Sequence, residues 1–306
     1  MRVRQDQPFH ISRPDMKPSA AKKQMNQASA LGSRKITLRN IPGCGVSSFD
    51  GWYTADKGVI RVGNSMSEWK NNVPGGPSLT QTDADERPGL ANVNGLIALE
   101  FDGDTSSKSV NADNASDSDG LLMDGIGTGD FYIAFVIATD STSDSMTLFS
   151  KAISSGSGLG SQFNCSYGSN RFSMSVGGSS LAQTAGGQLV VGQTTLVEYH
   201  RLNGTLQIFN NGTSVASVSD STDITHAGPV VIGATTRNNR FPFNGQICEF
   251  ICNAGTVTVK NRQIIEALMA RKWNLGAQSN RLATRRKGGQ GVLPADAPFR
   301  NQIPRF

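Results

Sequence analysis

Residues 195–218 read TLVEYHRLNGTLQIFNNGTSVASV, and this stretch decides the class of fold. Two Asn-Gly pairs, Asn203-Gly204 and Asn211-Gly212, divide it into three segments. Asn and Gly tolerate the positive φ that both central residues of a type I′ turn require, so each pair predicts a tight hairpin. The stretch therefore predicts a three-strand antiparallel meander over Thr195–Leu202, Thr205–Asn210 and Thr213–Val218.

Strand patterns continue on the N-terminal and C-terminal sides of this meander. Arg171–Val176 alternates polar and apolar residues, which is typical of a strand with one solvent-exposed face. Phe131–Ala138 is apolar on both faces and rich in aromatic and β-branched residues, which indicates a central strand. Further candidate strands are Leu96–Phe101, Met146–Ser150, Phe163–Tyr167, Gln188–Val191, Val230–Ile232 and Gly245–Cys252. Many short strands at such intervals predict an all-β antiparallel sandwich or jelly roll.

One helix follows these strands near the C-terminus. Between Val259 and Trp273 the apolar residues form a single stripe, which consists of Ile264, Ile265, Leu268, Met269 and Trp273. We expect the charged residues of this segment to lie off the stripe: Lys260, Arg262, Glu266, Arg271 and Lys272. Gly276 follows closely enough to help end the helix. Trp273 is expected to pack the helix against the edge of the sheet.

Charge is distributed unevenly along the 306 residues. Residues 1–40 hold 9 Lys or Arg and 2 Asp or Glu, and residues 271–306 hold 8 and 1, so each end carries +7. The middle holds 12 basic and 21 acidic residues, a net charge of −9. The total of +5 alone would suggest a nucleic-acid-binding protein, but the acidic middle argues against that function for the body.

Both ends of the chain have the composition of extended arms. Residues 1–44 and 277–306 lack a sustained apolar period and are interrupted by prolines, whereas residues 45–276 carry the jelly-roll pattern. We expect the arms to bind partner proteins through basic residues, namely Arg2, Arg4, Arg13, Lys17, Lys22, Lys23, Arg285, Arg286 and Lys287. Solvated tails that only maintain solubility are the alternative.

Several segments resemble the motifs of a known family. They are Phe49–Asp56 (FDGWYTAD) with Glu68–Lys70 (EWK), Asn94–Gly103 (NGLIALEFDG), Val231–Ala234 (VIGA), Phe243–Phe250 (FNGQICEF) and Ala270–Leu275 (ARKWNL). In this order they resemble the concanavalin A-like (laminin-G-like) jelly-roll domains of bacteriophage structural proteins. Tyr53 stands where the family usually has Trp, and Lys70 departs from its usual turn. The resemblance implies a concanavalin A-like jelly roll with one C-terminal helix.

The resemblance also raises the question of glycosidase activity. The glucanase branch of the superfamily uses two carboxylates on one strand as nucleophile and acid/base. The nearest match here is Glu100-Phe101-Asp102-Gly103-Asp104-Thr105, in which Thr105 stands in place of the second glutamate. A double displacement cannot proceed without that group, so the sequence argues against an enzyme of this type. The histidines His10, His200 and His226 offer no catalytic set in the sequence.

Calcium is the metal that the resemblance implies, because many laminin-G-like domains bind it. Asp113, Asp117 and Asp119 are the candidate ligands, with Asp124 nearby. Their spacing does not fit an EF-hand loop, and a solvated acidic loop is the favoured interpretation. No other cofactor is expected.

The cysteines argue against a disulfide-stabilised scaffold, and the apolar runs argue against a membrane-spanning protein. Cys248 and Cys252 share one predicted strand at about 13 Å, which is too far for a disulfide bond, and we expect four reduced, mostly buried thiols. The longest apolar run has eight residues, so no membrane span is predicted. No secretory signal is found at the basic N-terminus.

Three functions compete on this sequence. The favoured one is a non-enzymatic bacteriophage virion protein, a capsid decoration or accessory protein whose basic arms bind capsid or tail subunits and other copies of the chain. The alternative is a carbohydrate- or receptor-binding module of a phage tail or fibre. A glycan hydrolase is least favoured because of the missing carboxylate. Direct binding of the arms to nucleic acid ranks below protein partners, since few aromatic residues stand among their Lys and Arg.

Overall fold

Strands dominate the structure, as the alternating sequence pattern predicts. A computed structural model describes residues 49–103, 115–116, 122–142, 145–151, 163–176, 179–224, 228–235 and 241–275. The chain divides into two units, Met1–Cys44 and Gly45–Phe306, of which the first lies wholly outside these residues. Both arms, 1–44 and 277–306, also lie outside them, so their extended conformation stays a prediction.

The described residues form seventeen strands, two α-helices and one 3-10 helix. The strands are β1 (Gly51–Thr54), β2 (Val59–Val62), β3 (Ser65–Trp69), β4 (Leu79–Thr80), β5 (Gly89–Val93), β6 (Leu96–Asp102), β7 (Ala115–Ser116), β8 (Phe131–Thr139), β9 (Met146–Lys151), β10 (Phe163–Gly168), β11 (Arg171–Val176), β12 (Ser179–Gln183), β13 (Thr194–Leu202), β14 (Thr205–Asn210), β15 (Thr213–Ser219), β16 (Val230–Ile232) and β17 (Asn244–Asn253). The helices are α1 (Ala55–Gly58) and α2 (Val259–Lys272), and the 3-10 helix is Ala84–Glu86.

Antiparallel pairings arrange these strands in two layers. The first layer has the order β15-β14-β13-β8-β17-β6-β5, and β1 pairs with the second half of β17 on the same edge as β6. The second layer has the order β12-β11-β10-β9-β16-β7-β4-β3-β2. Among the described strands, one bridge, Ser65 to Gly89, connects the layers. The structure is the all-β antiparallel jelly-roll sandwich that the sequence predicts.

The core fills the space between the layers. On β8 the odd-numbered residues from Phe131 to Ile137 belong to it, and the even-numbered ones face the opposite side. Phe250 of β17 stacks on Phe135 of β8 with ring centroids 4.7 Å apart, and it contacts Phe149 of β9 at 6.0 Å. All of β8 is buried, which confirms it as a central strand.

The Asn-Gly meander is present as predicted. Strands β13, β14 and β15 follow one another, and the φ angles of Asn203, Gly204, Asn211 and Gly212 are 50°, 72°, 48° and 75°. Positive φ at both central residues is the requirement of a type I′ turn. The local sequence therefore determines this part of the fold.

The predicted strand Gln188–Val191 is wrong. Val190 and Val191 are 60% and 54% exposed, and the segment is irregular. The amide of Leu189 donates to Asn170 Oδ1 at 2.7 Å. A side chain satisfies this backbone group, so the segment does not need a partner strand.

Helix α2 has defined ends. The hydroxyl of Thr258 accepts a hydrogen bond from the Asn261 amide at 3.2 Å and caps the N-terminus. At the other end Asn274 has a φ of 52°, and the amide of Leu275 donates to the carbonyl of Ala270 at 2.9 Å. Asn274 thus takes the left-handed role expected of Gly276, which lies outside the described residues.

The expected charged face of α2 is wrong at two positions. Arg262 and Glu266 are 6% and 9% exposed, and they face the first layer together with Ile265 and Met269. They are buried because Glu198, on the outer face of β13, pairs with Arg262 at 3.1 Å. An opposite charge on the sheet therefore admits charged residues into the buried face of the helix.

Glu249 of β17 connects three parts of the chain. Its Oε1 accepts from Trp52 Nε1 of β1 at 2.6 Å, and its Oε2 accepts from Trp273 Nε1 at 2.6 Å and from Lys272 Nζ at 2.9 Å. Lys272 also pairs with Asp56 of α1 at 2.7 Å. The expected packing of Trp273 against the edge of the sheet is wrong. Trp273 contacts β17, which has neighbouring strands along both edges, so α2 packs on a face of the first layer.

The buried thiols agree with the sequence. Cys248 and Cys252 are free and buried, as predicted, whereas Cys44 and the side chain of Cys165 lie outside the described part of the chain. Within the described part, no helix has the length and apolar character needed to cross a bilayer.

We expect Glu249→Ala to destabilise the fold by about 3 to 5 kcal/mol, because it leaves two indole N–H groups and the Lys272 ammonium without their shared acceptor. Equilibrium unfolding in urea measures the loss. Glu100→Ala is the matched control: this glutamate is exposed on β6, and its removal should change stability by less than about 0.5 kcal/mol. Equal, small effects of both variants would contradict the role of Glu249.

Candidate functional site

The predicted calcium ligands Asp113, Asp117 and Asp119 lie outside the described residues, so that site stays a prediction. Asp124 is described, and its Oδ1 pairs with Lys151 Nζ at 2.8 Å. Lys151 is fully buried, so Asp124 compensates a buried cation. Among the described residues, no group of three or more His, Cys, Asp and Glu is placed to hold a metal ion.

The other predicted site residues are not brought together. The arm residues Arg2, Arg4, Arg13, Lys17, Lys22, Lys23, Arg285, Arg286 and Lys287 lie outside the described residues, as does Thr105. Glu100 and Asp102 are exposed on β6, in the first layer, while Phe101 between them is in the core. These two carboxylates therefore belong to the outer face of the first layer.

A buried charged cluster lies between the first layer and α2. Oε1 of Glu198 accepts from Tyr132 OH at 2.7 Å, and its Oε2 accepts from Arg262 Nη1 at 3.1 Å. Arg262 Nη1 also donates to Glu266 at 3.1 Å, and its guanidinium lies 3.8 Å from the ring centroid of Phe209. Burial raises the pKa of Glu198 from 4.5 to about 7, with Arg262 opposing the rise.

His200 lies beside this cluster on β13. Its Nε2 donates to the carbonyl of Val257 at 2.7 Å, and its ring is perpendicular to that of Tyr132, with the two ring centroids 5.7 Å apart. Burial lowers the pKa of His200 from 6.5 to about 4, so the ring is neutral at pH 7. The cluster is enclosed by α2 and therefore positions the helix.

A groove of about 480 Å³ lies on the outer face of the second layer. Its floor is one row of side chains across four strands: Gln183 of β12, Ser173 of β11, Ser166 of β10 and Thr147 of β9. The hydroxyls of Ser166 and Ser173 are hydrogen-bonded at 2.8 Å. Gln183 is exposed and Ser166 and Ser173 are half-buried, whereas Thr147 is buried, so the floor presents one amide and two hydroxyl groups to solvent.

Phe241 forms the apolar side of the groove. Its side chain is 53% exposed, and its carbonyl accepts a hydrogen bond from the Thr147 amide at 2.8 Å. Its φ is 56°, which a bulky residue before a proline, here Pro242, rarely adopts. An exposed aromatic residue is thus held in a backbone conformation that costs about 1 to 3 kcal/mol.

Arg171 supplies the charge of the groove. It is exposed at the start of β11, opposite Gly168 of β10. A Cβ on Gly168 would lie 3.1 Å from Ser145 Oγ and 3.4 Å from Ser145 Cα. Glycine at this position therefore allows Ser145 to approach β10 closely.

Part of this groove had a signal in the sequence. The alternation of Arg171–Val176 predicts one wet face, and that face supplies Arg171 and Ser173. Phe241 was missed, because an exposed and a buried phenylalanine look alike in a sequence. The Phe241-Pro242 dipeptide indicates only an extended or turn backbone.

The residues of the groove fall within one match to a protein-family model. The model, described as the concanavalin A-like lectin/glucanases superfamily, matches residues 104–252. Residues 104–252 form a concanavalin A-like domain. This confirms the family resemblance, while the bacteriophage setting stays a prediction. No curated protein sequence matches the chain.

Several solved structures have folds similar to that of this chain. The chain is similar to a sialidase from Trypanosoma rangeli (TM-score 0.50, 9% identity, covering 84% of this chain and 39% of that one). It is also similar to domain 4 of AbnA, an extracellular arabinanase from Geobacillus stearothermophilus (0.47, 15%, 70% and 96%), and to NanB sialidase from Streptococcus pneumoniae (0.41, 12%, 54% and 26%). The chain spans less than half of either sialidase, and the likeness concerns the fold alone.

We expect Glu198 to make stability depend on pH. The folded pKa of about 7 lies above the ordinary 4.5, so the folded state keeps a proton that the unfolded state releases between these values. The stabilisation is complete below about pH 4.5 and is lost as the pH rises through 7. Relative to Glu198→Gln, the wild type should therefore lose unfolding free energy on the order of 2 kcal/mol between pH 4.5 and 7.

His200→Gln provides the opposing comparison. The pKa of His200 falls on folding, so its contribution is lost as the pH drops from 6.5 to 4, and this loss should be absent in His200→Gln. Chemical denaturation at each pH measures both trends. If the difference between wild type and Glu198→Gln is flat from pH 4.5 to 7, the raised pKa of Glu198 is wrong.

Proposed function

We propose that this chain is a non-enzymatic saccharide-binding protein and that the groove on the second layer holds the ligand. The observation that carries the proposal is the exposed Phe241 beside the accessible hydroxyl and amide groups of Gln183, Ser173 and Ser166. A pyranose has an apolar C–H face, which packs on an aromatic ring, and a rim of hydroxyl groups, which need hydrogen-bond partners. The groove offers both kinds of contact on a sheet.

The distribution of carboxylates supports a binding function without catalysis. Glycoside hydrolysis in most families needs two carboxyl groups about 5 to 9.5 Å apart around the scissile bond. Among the described residues that line the groove, none is Asp or Glu. Glu100 and Asp102 lie on the first layer, and Glu198 and Glu266 are buried by α2. The proposal therefore assigns the groove to recognition.

Replacement of Phe241 by alanine is expected to weaken saccharide binding about tenfold or more, because aromatic anchors typically contribute more than about 1 kcal/mol to a binding site. A glycan array with the full chain identifies a ligand, and titration calorimetry with that ligand compares the variants. Phe241→Trp keeps an aromatic ring and should retain binding.

Val62→Ala is the matched control. Val62 is 55% exposed on β2, outside the groove, and its loss removes a comparable exposed apolar side chain. It should leave the affinity unchanged. If the array detects no saccharide, or if Phe241→Ala binds as tightly as the wild type, the groove is not a saccharide site.

We also propose a second function, that of a virion structural protein. This proposal does not depend on the groove and can be tested separately. The charge distribution favours this function. Each end of the chain carries a net charge of +7 and the middle carries −9, and oppositely charged surfaces on neighbouring subunits attract each other. A decoration or accessory protein of a phage capsid, or a module of a tail or fibre, would use the arms as anchors. Capsid or tail subunits and further copies of the chain would be the partners.

Neutralising the N-terminal arm tests this second function. We expect the change of Arg2, Arg4, Arg13, Lys17, Lys22 and Lys23 to Gln to remove most of the protein from purified particles, because the arm loses its attraction to acidic neighbours. Quantitative mass spectrometry of the particles measures occupancy. The control is a variant in which Arg replaces Lys and Lys replaces Arg at the same six positions, because this variant keeps the positive charge. Normal occupancy of the glutamine variant would overturn anchoring by this arm.

A further inference from the structure

The groove differs in charge from the rest of the body. Its described lining contains one charged side chain, Arg171, and no carboxylate. The middle of the chain, residues 41–270, carries a net charge of −9, so a carboxylate-free groove with a cation is unlike the average surface of the body. An anionic ligand would meet attraction in this groove where much of the surface would repel it.

The guanidinium of Arg171 differs from those of the buried arginines in its ion pairs within the described part of the protein. The buried Arg201 pairs with Asp220 at 3.0 Å, and the buried Arg262 pairs with both Glu198 and Glu266 at 3.1 Å. Arg171, in contrast, makes no ion pair with a described carboxylate. An arginine presents five N–H donors in a planar fork that matches a carboxylate or a sulfate.

The position of Arg171 places this fork beside the polar floor. Arg171 and Ser173 are two residues apart on β11, so their side chains share the outer face with Cα atoms about 7 Å apart. This spacing is close to the dimension of one sugar ring. Across the pair from Arg171 lies Gly168, against which Ser145 packs. A ring over Ser173 and Ser166 could therefore direct a substituent towards Arg171.

We propose that the ligand of the groove is an acidic saccharide, in which a carboxylate or sulfate group binds Arg171 while the sugar ring packs on Phe241 and bonds the floor. This inference rests on the proposed saccharide-binding function and names its ligand class. Arg171 determines the specificity for charge, and Phe241 and the hydroxyl row bind the part that neutral and acidic sugars share.

The first experiment compares acidic saccharides with their neutral parents. The full chain is applied to an array that pairs sialylated, uronic and sulfated glycans each with the corresponding uncharged glycan. We expect the acidic members to bind at least about tenfold more tightly than their neutral parents, and comparison of carboxylated with sulfated members tells which anion fits. Equal binding to the neutral parents overturns the acidic ligand but keeps the saccharide function. No binding to any glycan overturns both.

The second experiment separates the groove from the basic arms, which could attract acidic glycans by charge alone. Arg171→Gln removes one positive charge in the groove and leaves both arms intact. Arg61→Gln removes one positive charge from β2, outside the groove, and is the matched control. For the best acidic glycan we expect Arg171→Gln to weaken binding at least about tenfold and Arg61→Gln to leave it unchanged, because a charge-assisted bidentate contact is lost only in the first.

Arg171→Lys distinguishes geometry from charge. Lysine keeps the charge but not the planar fork, so we expect an affinity between those of wild type and Arg171→Gln. For a neutral glycan that binds weakly, Arg171→Gln should have no effect, whereas Phe241→Ala should abolish binding. Equal affinities of wild type, Arg171→Gln and Arg61→Gln for the acidic glycan would assign the binding to the arms and sink the proposal.

Discussion

The buried carboxylate of Glu249 is the contact on which the attachment of β1 and α2 to the first layer depends. It accepts hydrogen bonds from Trp52, 197 residues earlier in the chain, and from Trp273 and Lys272 at the end of α2. A buried carboxylate is costly unless several donors satisfy it, so these donors and Glu249 require one another. The consequence is that α2 lies across the outer face of the first layer. The groove lies on the outer face of the second layer, which α2 leaves open.

The cluster of Glu198, Arg262 and Glu266 fixes the position of α2 on the first layer. An apolar stripe alone would let a helix slide or rotate on a sheet with little change in energy. Arg262 must instead meet the carboxylate of Glu198 while it bonds Glu266 one turn along the helix. Misplacing it would leave a buried charge unpaired, which typically costs several kcal/mol. The cluster therefore contributes specificity of packing more than net stability.

Local chemistry explains which features the sequence could predict. The Asn203-Gly204 and Asn211-Gly212 turns follow from the residues themselves, and the apolar run of β8 needs only its own composition to indicate a central strand. The burial of Arg262 and Glu266 depends on Glu198, a residue more than sixty positions earlier in the sequence. Gln188–Val191 has strand composition, but Asn170 supplies its hydrogen bond from another loop. Pairwise contacts of this kind carry no periodic signal, so they could not be predicted from the sequence.

The groove shows the same division between local pattern and tertiary placement. The wet face of β11 could be predicted from its alternation, and the row from Gln183 to Thr147 follows once the strands are in register. Phe241 is placed by the bond between its carbonyl and the Thr147 amide, in a conformation that costs about 1 to 3 kcal/mol. The large core offsets that cost. For the proposed saccharide site, a backbone held in one conformation at Phe241 would lower the entropy lost when a ligand binds, and that is what a strained φ at an exposed aromatic residue offers.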